Sequence, residues 1–240
     1  MPYVTGGLLG DRWLEAVEAV VAVGADAVEV GIPFSDPVMD GPTIQEASQR
    51  ALGGGATPIG IINALGDLDV GVPLVAMTYY NIVFRTGHRR FARLLADNGV
   101  GGAVVPDVPL EELSDWSRAA DDAGVATVLL TAPVTPDERL ARICERSRGF
   151  VYGVSVMGVT GERAALAASA HVLAKRLKAA TDKPVLIGFG VSTPEHAVEL
   201  ASEADGVITA SVLMRILLDG GGPDDVGALV ADMRSALDKS

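Results

Sequence analysis

One rhythm runs through the sequence. Short runs of Val, Ile and Leu, each closed by Gly, Pro, Ser or Asp, alternate with longer stretches rich in Ala, Leu, Glu and Arg. The apolar runs fall at Pro2–Thr5, Ala27–Gly31, Leu74–Thr78, Gly102–Val105, Thr127–Thr131, Phe150–Val154, Pro184–Gly188 and Gly206–Ile208. They are continuously apolar, the pattern of parallel strands covered on both faces. The intervening segments keep a helical period: in residues 11–24, Trp13, Val17, Val20 and Val21 share one face, with Glu15 and Glu18 on the other. Eight strand–helix units in 240 residues match a closed (β/α)8 TIM barrel. An open doubly wound sheet usually has fewer strands and a clear switch point. The glycine clusters Gly53–Gly55 and Gly220–Gly222 are short and sit where helices should end, so one domain spanning 1–240 is expected.

Composition narrows the partners. A formal charge of −12 repels nucleic-acid phosphates and anionic membranes, and supplies no basic stripe to hold them. A phosphate group on a small molecule still binds if backbone N–H groups and a helix N-terminus outweigh the global field. The single cysteine, Cys144, cannot form an internal disulfide and falls in a helical stretch, where it reads as a structural thiol in a reducing compartment. No leader-like or membrane-length apolar run is present, so a cytoplasmic location is expected.

In a barrel of this kind, chemistry sits in the loops after the strands. After the second run comes VEVGIPFSDPVMDGPTIQ, residues 28–45, with Glu29 inside the apolar run and Asp36 and Asp40 beyond it. A carboxylate among Val and Ile that points into the barrel mouth is desolvated, which raises its pKa toward the range useful for proton transfer. Glu29 as a structural ion-pair partner, and Asp40 as the cap of a helix beginning near Thr43, are the plainer alternatives. Glycine-containing exits at 158–161 (GVTG) and 188–192 (GFGVS), followed by ITAS at 208–211, suit a phosphate, because small residues let backbone N–H groups approach oxygen. Tyr3, Tyr79, Tyr80, Tyr152 and Phe189 fall at or near strand ends, where a flat apolar group could pack. His88, His171 and His196 read as surface residues, and no metal-spaced or nucleotide-binding motif appears.

The 28–45 segment resembles the signature of the tryptophan synthase alpha subunit. The likeness continues through MTYYN (77–81), VPDVP (105–109), YGVSVMGVTG (152–161), GFGVS (188–192) and ADGVI (204–208), essentially the whole chain. The resemblance implies retro-aldol cleavage of indole-3-glycerol phosphate to indole and glyceraldehyde 3-phosphate, as part of tryptophan biosynthesis. It makes Glu29 the general acid/base and Asp40 the carboxylate that engages the indole N–H. Tyr3, Met77, Tyr79, Tyr152 and Phe189 then line the indole pocket, Gly161, Gly190, Ala210 and Ser211 hold the phosphate, and Thr160 belongs to a loop that closes over the site. No cofactor is implied in this chain. Pyridoxal phosphate is expected only in a beta-subunit partner, in an alpha2-beta2 assembly with Asp36 and the Pro106 region at the contact.

The chain departs from the family pattern at three places. Ala210 stands where the family usually has Gly, and its Cβ would be strained if the position required positive φ. The first strand begins almost at once, where the family carries an N-terminal helix beneath the barrel, so that helix is expected to be absent. The segment between Pro58 and Pro73 is short for a helix plus loop. A stand-alone indole-forming lyase is the alternative to a partnered subunit. A non-catalytic phosphate-binding module and a generic barrel isomerase explain less of the 28–45 segment.

Overall fold

The computed structural model describes residues 1–154, 163–188 and 190–240, with side chains from 168 onward in the middle segment. Its strands are β1 (Tyr3–Thr5), β2 (Val28–Gly31), β3 (Leu74–Met77), β4 (Val100–Val104), β5 (Ala126–Thr131), β6 (Val151–Val154), β7 (Val185–Gly188) and β8 (Gly206–Ile208). All are parallel and pair in sequence order. The Tyr3 N–H donates to the Thr209 carbonyl at 2.8 Å, bringing the exit of β8 against β1 so that the sheet curls into a barrel. The expected runs beginning at Pro2 and Pro184 start their strands one residue later, because proline has no N–H for the ladder. β4 begins two residues earlier than expected, where Gly101 and Gly102 dilute the apolar signal.

Outside the barrel lie α1 (Arg12–Ala22), α2 (Pro42–Gly53), α3 (Pro58–Leu65), α4 (Tyr80–Thr86), α5 (His88–Asp97), α6 (Ser114–Ala123), α7 (Asp137–Arg146), α8 (Arg163–Ala180), α9 (Pro194–Ala201), α10 (Ser211–Leu218) and α11 (Pro223–Leu237). α1 buries Trp13, Ala16, Val17 and Val20, the face its periodicity predicts apart from the half-buried Val21. α2 ends in the first glycine cluster, and the second separates α10 from α11. The short segment after Pro58 accommodates an eight-residue helix, α3. Cys144 is buried on α7, and burial pushes its thiol pKa up, as befits a structural thiol. The three histidines are not free at the surface. Each is half-buried and engaged: His88 Nε2 with Tyr80 Oη at 3.0 Å, His171 Nε2 with Glu199 at 3.4 Å, and His196 Nδ1 with Ser192 Oγ at 3.2 Å.

Two layers of core decide where the site residues point. Val28 and Val30 are fully buried in the layer between sheet and helices, whereas Val75, Val104, Val128, Tyr152 and Ile208 fill the barrel interior. In β2 this fixes Glu29 and Gly31 on the inner face. Burying the two valines contributes about 3–6 kcal/mol. Placing a neutral, unpartnered carboxyl inside costs roughly 1–3 kcal/mol, so the valines win. A one-residue slip would reverse both and is disfavoured twice over.

Candidate active site

Glu29 stands in register between Tyr3 on β1 and Val75 on β3. It is 1% exposed, and neither carboxylate oxygen has a hydrogen-bond partner among the described residues. This disposes of the ion-pair alternative. Burial raises its pKa to about 8, with nearby negative Asp40 adding to the shift and the terminal amine opposing it. An unpaired buried carboxyl is costly, and a protein retains one where a ligand uses it.

Asp40 reaches the same cavity from the loop after β2. That loop is held by Met39 N–H donating to Tyr79 Oη at 3.0 Å, Asp40 N–H to the Pro37 carbonyl at 3.0 Å, and Gln45 Nε2 to the Asp40 carbonyl at 2.8 Å. Gly41 is the N-cap of α2 and Pro42 opens it, with no side chain capping, so the Asp40 carboxylate is left free for other work. Burial raises its pKa to about 6, and a hydrogen bond from Tyr79 works against the shift. The two carboxyls therefore differ in protonation near neutral pH, Glu29 mainly protonated and Asp40 mainly ionised.

The cavity between them has a volume of about 290 Å³. Tyr3, Met77 and Tyr152 line it, together with Leu130 and Ile208. Two glycines shape its walls. A Cβ on Gly31 would lie 1.8 Å from Tyr3 Oη, and one on Gly188 would lie 2.4 Å from Tyr152 Cε2. In each case a tyrosine leans over the glycine two residues past its register partner on the next strand. The arrangement leaves a slot with aromatic sides. Tyr79 is placed differently from the other aromatics: it is buried, stacks on Phe34 with ring centroids 5.1 Å apart, and supports the Asp40 loop from behind without lining the cavity.

The cavity has a second wall at the exits of β7 and β8. Gly190, Ser192, Ala210, Ser211 and Val212 line it. Gly190 has φ +50°, in the left-handed region that favours glycine. Thr209 Oγ1 donates to the Val191 carbonyl at 2.9 Å, pinning the exits of β7 and β8 together. α10 begins at Ser211, with no side chain capping its first turn, so backbone N–H groups and the helix dipole are available at the cavity wall. Ala210 has φ −130°, so its Cβ carries no positive-φ strain. None of the cavity's described wall residues is Lys or Arg.

Thr160, Gly161 and Phe189 lie outside the described residues. The structure adds wall residues that sequence reading did not single out: Met39, Ile44, Leu130 and Ser192. Ser192 was foreshadowed only by its place in the GFGVS segment. Pro106, expected at a partner contact, is also part of the cavity wall, while Asp36 is exposed and accepts from Ser35 Oγ at 2.6 Å. Among the described residues, no group of three or more His, Cys, Asp or Glu could hold a metal, and no helix is long and apolar enough to cross a membrane.

The family model for the tryptophan synthase alpha chain matches residues 1–230. The tryptophan synthase alpha chain of Streptomyces coelicolor is 45% identical over 244 residues, spanning 98% of this chain and 87% of its own length. That of Methanosarcina acetivorans is 44% identical over 236 residues, 96% of this chain and 86% of its own. Among solved structures, tryptophan synthase from M. tuberculosis in its aminoacrylate- and BRD0059-bound form superposes with a TM-score of 0.88 at 36% identity, covering 98% of this chain and 90% of that one. The tryptophan synthase complex from Pyrococcus furiosus gives 0.88 at 36% identity, covering 98% and 96%. The chain belongs to the tryptophan synthase alpha chain family.

Proposed function

We propose that this cavity cleaves indole-3-glycerol phosphate to indole and glyceraldehyde 3-phosphate, the lyase step of a tryptophan synthase alpha chain. The observation that carries the assignment is Glu29: a buried carboxyl with both oxygens unpaired, facing a slot with an aromatic side, a second carboxylate and a helix N-terminus.

The residues divide the work. The slot between Tyr3 and Tyr152 takes the flat indole ring, and the α10 N-terminus with Gly190, Ala210 and Ser211 takes the phosphate. Protonated Glu29 delivers its proton to the ring carbon that bears the glycerol chain. The positive charge left on the ring nitrogen is stabilised by ionised Asp40. Glu29, now a carboxylate, accepts the hydroxyl proton of the adjacent side-chain carbon as the carbon–carbon bond breaks. The bond's electrons return to the ring, the hydroxyl becomes the aldehyde, and Glu29 ends protonated as it began. Thr160, Gly161 and Phe189 are assigned by family pattern to the closing loop, the phosphate site and the indole pocket.

The acid/base work rests on this chain's own side chains, and pyridoxal phosphate is assigned to a beta-chain partner. The P. furiosus relative is solved as a tryptophan synthase complex. Here the exposed apolar side chains Val38, Met39 and Val134 stand on loops after strands, the first two within three residues of Asp36 in sequence, and are suited to cover by such a partner. We place the chain in the cytoplasm as one barrel domain over 1–240.

The test is indole release from indole-3-glycerol phosphate by the purified chain with its cognate beta chain. Glu29→Gln should lose about 10²–10⁴-fold in kcat. A variant that keeps parental kcat overturns the assignment. The pH profile follows from the same pair. Activity needs Glu29 protonated and Asp40 ionised, so kcat/KM should fall above about pH 8 and below about pH 6. Asp40→Asn should flatten the acidic limb, and a profile that keeps that limb contradicts the role of Asp40.

A further inference from the structure

Ser192 is a polar wall residue of the cavity with no part in the proton transfers. It lies in the segment leaving β7, at the same wall as Gly190, Ala210 and Ser211. The chain is fixed on both sides of it. Before it, Thr209 Oγ1 holds the Val191 carbonyl at 2.9 Å. After it, Thr193 caps α9, its Oγ1 accepting from the His196 N–H at 3.3 Å, and Pro194 opens the helix. This first turn brings the His196 ring back to the serine, with Nδ1 3.2 Å from Ser192 Oγ. Ser192 lines the cavity and His196 does not, so the imidazole stands behind the hydroxyl.

A serine and an imidazole can share a hydrogen bond in two ways. If Nδ1 is bare, the serine O–H donates to it, and the oxygen lone pairs are what the cavity meets. If Nδ1 carries a proton, the ring donates to Oγ, and the serine O–H is free to donate to a third group. The first arrangement repels a phosphate oxygen and the second binds one. The neighbouring carboxylates do not compete for the ring nitrogen: Glu199 on α9 is engaged with His171 of α8 at 3.4 Å, and exposed Glu195 has Thr193 as its hydrogen-bond partner. None of the cavity's described wall residues is Lys or Arg, so neutral donors must hold an anion there, and a hydroxyl already oriented by a partner loses less freedom on binding.

We propose that Ser192 donates a hydrogen bond to the substrate phosphate and that His196 is its positioning residue. A bound phosphate selects the arrangement in which His196 Nδ1–H donates to Ser192 Oγ and the Ser192 O–H points at the phosphate. The inference rests on the lyase reading and adds to its backbone donors a side-chain donor with a second residue behind it.

The test is steady-state indole release from indole-3-glycerol phosphate by the full chain with its cognate beta chain. Parent, Ser192→Ala, His196→Ala, His196→Asn and the double variant Ser192→Ala/His196→Ala are compared, with circular dichroism to establish that each is folded. Ser192→Ala should raise KM about ten-fold while kcat stays within about two-fold of parent, as expected for a contact made equally in ground and transition states. His196→Ala should raise KM about three-fold or more, and should add nothing further in the Ser192→Ala background. His196→Asn, which keeps an N–H donor, should restore KM toward parent. Inhibition by inorganic phosphate should weaken in step with KM, whereas inhibition by indole, which carries no phosphate, should not change. If the parent releases indole and Ser192→Ala keeps parental KM and phosphate inhibition, Ser192 is not a phosphate donor and the proposal fails while the lyase reading stands. A full additional loss from His196→Ala in the Ser192→Ala background, or no rescue by Asn, shows that His196 does not act through Ser192 and overturns its role. If the parent releases no indole, the lyase reading fails and this inference with it.

Discussion

Glu29→Gln is expected to make the chain more stable as well as inactive, and the gain should grow with pH. The folded-state pKa of Glu29, about 8, lies above its ordinary 4.5. Between those values the folded chain holds a proton that the unfolded chain has released. The parent therefore keeps the full contribution of this group below about pH 4.5 and loses stability as pH rises toward 8. At 1.36 kcal/mol per pKa unit, the loss across the window is on the order of 5 kcal/mol. Glutamine does not ionise and escapes it. Paired denaturant titrations of parent and variant at pH 5, 6.5 and 8 check this, because other titrations cancel in the difference. A constant difference across that range would mean that Glu29 is not held protonated by the fold. The trade is the expected one at an active site, where an unpaired carboxyl is retained for chemistry at a cost in stability.

Gly31→Ala should lower stability by about 3 kcal/mol, in the range of overpacked cores, and should raise KM sharply. The added Cβ would occupy the space of the Tyr3 hydroxyl, and Tyr3 is itself buried between the barrel wall and the cavity. The ring must swing away from the slot, taking one wall of the indole site with it. Tyr3→Ala in the Gly31→Ala background should recover part of the lost stability, a coupling that a double-mutant cycle reads directly. Gly53→Ala provides the contrast. Gly53 closes α2 with nothing within 4 Å of an added Cβ, so that substitution should be neutral within about 0.5 kcal/mol. Equal losses at Gly31 and Gly53 would show that the Tyr3 contact is not what the glycine serves.

The fold was legible because its signal is repetitive. Each βα unit restates the same apolar run and amphipathic helix, so errors of one or two residues at Pro2, Pro184 or Val100 leave the strand count intact. Glu29 was legible as well, since a carboxylate in a run of valines must either find a partner or a purpose. Asp40 was not, on local grounds alone. Its neighbours Gly41, Pro42 and Thr43 equally suggest a helix cap, and only the observed start of α2, capped at Gly41 without a side chain, separates the two. Tyr79 shows a further limit. Its position after β3 marks it as near the site, but whether a ring forms the wall or braces a loop depends on tertiary packing against Phe34 and Met39. The strain suggested for Ala210 turned on a backbone angle that sequence does not specify, and φ −130° removes it.

The most direct test of Glu29 as the proton carrier is indole formation from indole-3-glycerol phosphate in D2O, with product mass and amount measured together. The parent should release indole carrying one deuterium at the ring carbon that loses the glycerol chain, and Glu29→Gln should release at least about a hundred-fold less at saturating substrate. Deuterated indole formed by Glu29→Gln at the parental rate would place the proton elsewhere and contradict the account.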